Sequence, residues 1–127
     1  MASKKSNYLK SKIVKHVKGE ASYTMPTTLY LALYTTDPTV ADTGTEVTGG
    51  SYSRKAISFA AESGGSAASN AAINFTSMPT TNVSHWGIRD ASSGGNLLYF
   101  GNFDIAQAIT AGQTFTINSG NVVITEE

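Results

Sequence analysis

His16 and His85 are the only imidazoles in a chain of 127 residues that has no cysteine, so acid–base or nucleophilic chemistry has few side chains to draw on. His16 falls in a lysine-rich segment. His85 follows Ser84 and precedes Asp90 by five residues, which is the composition of a catalytic triad. Neighbouring residues of a strand face opposite ways, however, so strict alternation predicts that Ser84 and His85 do not meet. No pair of carboxylates stands out for glycoside hydrolysis either. The expectation is a protein that is not an enzyme.

Metal and phosphate chemistry are equally thin. Asp37, Asp42 and Glu46 share one polar loop, but their spacing matches neither a calcium loop nor a helical zinc motif, and solvation of the three acids is the simpler reading. Gly64-Gly65 and Gly94-Gly95 lack the Lys-Ser/Thr that follows a phosphate-cradling loop and read as turns. Neither a metal nor a cofactor is expected. Six lysines (Lys4, Lys5, Lys10, Lys12, Lys15 and Lys18) precede residue 19 and every acid follows it, leaving three cations against nine acids beyond. Such an asymmetry steers the basic end toward an acidic surface. Nucleic acid is the weaker candidate, because Arg54, Lys55 and Arg89 are too few to build a basic sheet face with interleaved aromatics.

The elements that must position these residues follow from hydrophobic period. Ser6 can cap a helix over Asn7–Lys18, with Leu9, Ile13, Val14 and Val17 on one side and Gly19 as its stop. From Thr27 the period becomes two. Strands are expected at Thr27–Thr35, Ser51–Ala60, Ala72–Thr76, Val83–Arg89, Asn96–Phe103, Gln113–Asn118 and Asn121–Thr125, with Ala106–Thr110 as an eighth. Residues 36–50 and 61–70 read as loops, the first as a surface excursion able to touch a partner. The spacing predicts an all-β fold, a two-sheet β-sandwich of jelly-roll or immunoglobulin type with the jelly roll preferred, and one short N-terminal helix. Residues 1–26 form a basic helix and linker, and residues 27–127 the β-sandwich domain.

Composition agrees: 14% charged residues and 40% hydrophobic ones, with Gly, Ser, Thr and Asn filling the difference, suit a turn-rich β protein. No apolar run reaches the roughly 20 residues that span a bilayer, and Met1–Lys18 lacks the features of a secretory signal. Synthesis in a cytoplasm and no membrane partner are therefore expected.

Four segments, Thr28–Thr39 (TLYLALYTTDPT), Gly44–Phe59 (GTEVTGGSYSRKAISF), Trp86–Asp90 (WGIRD) and Gly94–Gly101 (GGNLLYFG), together resemble a family of small virion proteins of tailed bacteriophages, often labelled tail fibre protein. The likeness extends over Tyr8–Thr125. It implies a structural component of the phage particle, made in the host cytoplasm and working by packing against the major capsid protein or other virion subunits, with homo-oligomers expected. The length suits a capsid decoration or cement protein that stabilises the shell. The alternative is a tail, baseplate or fibre-associated protein with an adhesive or structural role. Lys10, Lys15, Tyr52 and Arg54 are the expected protein contacts. Tyr52 and Arg54 could instead pack together inside the domain, and Trp86 is expected in the core.

Overall fold

The computed structural model describes residues 3–126. Strand β1 (Lys4–Lys5) leads into helix α1 (Asn7–Val17), followed by β2 (Leu29–Tyr34), β3 (Lys55–Ile57), β4 (Ser66–Ala68), β5 (Ile73–Phe75), β6 (Thr81–Arg89), β7 (Leu97–Ile109), β8 (Phe115–Ile117) and β9 (Val123–Thr125). The main sheet has the order β1-β7-β6-β2-β3, and β4-β9 and β5-β8 form two small ladders. Every pairing is antiparallel. The fold is an all-β sandwich with a short N-terminal helix, as the alternating pattern predicts.

One face of the main sheet packs on the ladders. Leu31, Leu33, Val83, Trp86 and Ile88 meet Ile73, Phe75, Ile117 and Val122 in a single core. Trp86 lies at its centre with no exposed surface. Phe75 links the aromatic packing, stacked on Tyr52 and tilted against Phe115. The other face of the sheet is covered in part by the start of α1 and by the chain after β2, which bury Leu9, Tyr34 and Pro38.

The helix begins where its cap predicts. Ser6 Oγ accepts the Leu9 N–H at 3.2 Å, satisfying one of the free amides of the first turn. Ser6 is itself buried, its amide donating to the Leu98 carbonyl at 2.9 Å and its hydroxyl to that of Leu97. The N-terminal segment is thereby stitched into the sheet, with Lys4 opposite Phe100 and Lys5 opposite Tyr99.

Several strand boundaries differ from the expectation. Ser51–Ala60 shrinks to β3, because Tyr52 and Arg54 turn toward the loop before them and leave the ladder. Asn96–Phe103 and Ala106–Thr110 merge into β7. A strand, β4, occupies part of the stretch read as a loop; its Ser-Ala-Ala sequence carries no β-branched residue to announce it.

The difference with most consequence lies in β6. Val83 pairs with Gln107 and His85 with Asn102, so Ser84 stands in a bulge while β7 accommodates four residues opposite it. The extra residue flips the parity of the strand: Val83 and Trp86 both face the core, and Ser84 and His85 share the outer face.

Candidate functional site

The loop at 36–50 is held by two arginine clamps. Arg89 meets the Asp42 carboxylate in a fork, Nη1 to Oδ1 and Nη2 to Oδ2, both at 2.9 Å, and also donates to Tyr34 Oη at 2.9 Å and the Gly95 carbonyl at 3.1 Å. Arg54 grips Glu46 in the same way, Nε and Nη2 each at 2.9 Å from a carboxylate oxygen. Its Nη1 reaches the carbonyls of Ala91 and Gly94 at 2.9 and 2.8 Å. Tyr52 donates to Glu46 at 2.7 Å and accepts the Leu33 N–H at 3.0 Å. Planar two-point pairing of this kind fixes orientation as well as charge.

The polar groups of Tyr52 and Arg54 thus bond to groups of their own domain. Their task is to lock the loop against the β6–β7 turn. Asp37 acts as a turn device, its Oδ1 accepting the Thr39 N–H at 2.9 Å. Asp42 and Glu46 are neutralised by different arginines, and among the described residues no group of three or more metal-ligating side chains gathers. The β6–β7 turn fastens itself as well: Asp90 accepts the Asn96 N–H at 2.7 Å and its Nδ2 at 3.1 Å. Gly95 has φ +70°, and a Cβ there would lie 2.5 Å from Asp90 Oδ1, so glycine is required.

Burial works to raise the pKa of Glu46, but hydrogen bonds from Arg54 and Tyr52 and the charges of Arg54 and Arg89 overcome it and hold the carboxyl below the ordinary glutamate value. A depressed folded-state pKa contributes stability above the unfolded value that is lost as pH falls through the folded one. The thermal midpoint should therefore drop on acidification below the usual glutamate range. Glu46→Gln should remove that part of the drop, and identical pH profiles for the two proteins would refute the assignment.

Ser84 and His85 do meet, contrary to the expectation from strict alternation: Ser84 Oγ lies 2.7 Å from His85 Nδ1. The bulge is the cause. Ser84 also donates to the Thr35 carbonyl at 3.0 Å. A hydroxyl has one proton, so with that proton on Thr35 the serine accepts from Nδ1–H of His85. This is the reverse of the proton path a nucleophilic serine needs. The pair lines a cavity of about 450 Å³ together with Asp37, Phe100, Asn102 and Phe103.

The remaining sequence candidates lie on α1. Its first turn is docked through Leu9, but Val14 and Val17 are 59% and 79% exposed, and Met25 beyond the helix is 83% exposed. Lys10, Val14, Val17 and Lys18 have the i, i+4, i+7, i+8 spacing of one helix face. Lys15, five residues beyond Lys10, is offset from that stripe. Sequence periodicity grouped the valines with Leu9 and so missed that the helix leaves the domain surface after its second turn. No helix among the described residues is long and apolar enough to cross a membrane.

No curated protein matches the chain. A family model described as podophage GP4 fiber I protein gp80 matches residues 4–125. The match includes all four segments on which the sequence resemblance rests, and three of them supply both arginines and most of their side-chain partners: Tyr34, Glu46 with Tyr52 and Arg54, and Arg89; Asp42 lies between the first two segments. The fourth begins with the turn glycines whose carbonyls both arginines reach.

Proposed function

The chain belongs to the podophage GP4 fiber I protein family, and from that premise we propose that it is a non-enzymatic, fibre-associated virion protein that docks on another virion subunit through the basic and apolar face of α1. The family is one of structural phage proteins, which places its members in the virion.

The observation that carries the docking reading is the exposed side of α1. Two valines stand in solvent at the end of a helix flanked by lysines, whereas most other large apolar side chains of the described residues are at least half covered. Apolar surface rimmed by one sign of charge is how a protein-contact face is built, and the lysines select an acidic partner surface and speed the encounter. Arg54 and Tyr52 contribute indirectly, by holding the loop that flanks the helix start, where the Asn7 N–H meets the Val40 carbonyl at 2.8 Å.

Capsid decoration, the first expectation from chain length, draws no support from a fibre family. The fibre-associated alternative does, and copy number separates the two. The docking reading is tested by Val14→Asp with Val17→Asp in particles assembled with the variant. Each buried valine is worth about 1.5 kcal/mol, so affinity should fall about a hundredfold and the protein should be lost from purified particles. Because both positions are exposed, the thermal midpoint should not move. Full incorporation of the folded double variant would exclude α1 as the contact. Lys10→Glu should weaken incorporation in a salt-dependent way, whereas Lys15→Glu, off the stripe, should matter less.

A further inference from the structure

The bulge at Ser84 builds a second feature that the contact role of α1 does not use. We propose that the cavity on the outer face of the main sheet is a binding site for a neutral saccharide.

The cavity, about 450 Å³ and partly open, is the size of small-ligand sites in general. Its floor is sheet: Phe100 and Gly101 of β7 beside His85 of β6, opposed in register as Gly87–Phe100, Trp86–Gly101 and His85–Asn102. Phe103, on the rim, is anchored edge-on against Phe115 at 5.7 Å between ring centres. The rim is made by Phe103 and Ala106, the first and last of the residues that β7 loops out opposite Ser84, and by Lys4 and Asp37. Bulges at sheet edges commonly re-aim side chains in this way.

The polar groups are set in advance. Because Ser84 gives its proton to Thr35 and accepts from Nδ1–H of His85, the imidazole is held in the tautomer that leaves Nε2 a bare acceptor. One oxygen of Asp37 is taken by Thr39 and the other has no partner among the described residues. Asn102 donates to the neighbouring Phe103 carbonyl at 3.3 Å, leaving its amide oxygen as an acceptor. Lys4 supplies donors. Acceptors and donors share the lining with the aromatic rings of Phe100 and Phe103, and the two formal charges, one of each sign, cancel. An anion would meet Asp37 and a cation would meet Lys4, whereas a ring bearing several hydroxyls and an apolar C–H face satisfies all of these groups at once.

The proposal stands on the cavity alone, so its failure leaves the α1 contact untouched. The test is a titration of the ¹⁵N-labelled full chain with the methyl glycosides of glucose, galactose and N-acetylglucosamine, and separately with inorganic phosphate, followed by amide chemical shifts. At least one glycoside should produce saturable shifts centred on Ser84, His85, Gly101 and Asn102 at millimolar concentration. His85→Ala and Asn102→Ala should each weaken binding roughly fivefold, the worth of one hydrogen bond; Asn102 is exposed, so that variant keeps the fold. Absence of a saturable response to all three glycosides, a response unchanged in both variants, or a response to phosphate alone would overturn the proposal.

Discussion

Arg89→Ala should lose about 3 kcal/mol of folding stability, read as a urea midpoint lower by about 1 M or more. The side chain is 9% exposed and serves five acceptors at once: both Asp42 oxygens, Tyr34 Oη and the carbonyls of Gly94 and Gly95. Removing it leaves the hydroxyl of Tyr34, a residue 2% exposed, without its donor and Asp42 without its counter-charge. Asp42 also sits at φ +58°, a backbone conformation that a non-glycine residue holds only when its surroundings impose it. The loop at 36–50 should therefore loosen together with the β6–β7 turn, and amide exchange should rise in both. Arg89→Lys keeps the charge but not the fork, and should fall between wild type and alanine. A midpoint for Arg89→Ala within about 0.2 M of wild type would mean that the clamp contributes little.

Trp86→Ala should be more damaging still, at about 3–5 kcal/mol, against a total stability of about 5–15 kcal/mol for a domain of this size. Trp86 is wholly buried between the main sheet and the ladders, so truncation opens a cavity among Leu31, Leu33, Phe75 and Ile88 that rigid strands close poorly. Trp86→Phe separates packing from polarity. The indole Nε1 has no hydrogen-bond partner among the described residues, so phenylalanine gives up area while relieving an unpaired donor, and should cost much less than alanine. Equal losses for the two variants, followed by chemical denaturation, would show that Nε1 contributes as much as the ring.

What the sequence made legible was what local periodicity encodes. Leu29, Leu31 and Leu33 announced β2, Ser6 and Gly19 bracketed the helix, and Asp37-Pro38 marked a turn that the Asp37–Thr39 hydrogen bond confirms. A single inserted residue defeated the same rule in β6. Alternation placed Ser84 beside Trp86 on one face, and only the register jump opposite β7 brings Ser84 to His85. Long-range pairings were equally out of reach. Asp42 and Glu46 read as solvated acids because the arginines that neutralise them lie 47 and 8 residues away, and nothing local couples those positions. Tyr52 and Arg54 were singled out as a phenol and a guanidinium on one side of the chain, but that both bond to Glu46 was not legible. Val14 and Val17 were read on one face with Leu9; their exposure depends on where the helix leaves the sheet, which periodicity does not encode.

A fibre-associated role is tested by the copy number of the protein in purified particles, measured by mass spectrometry against the major capsid protein. A fibre-associated protein should be present in a small count set by the symmetry of the tail, on the order of a dozen copies or fewer. Hundreds of copies, in a fixed ratio to the major capsid protein, would contradict it and assign the chain to the shell.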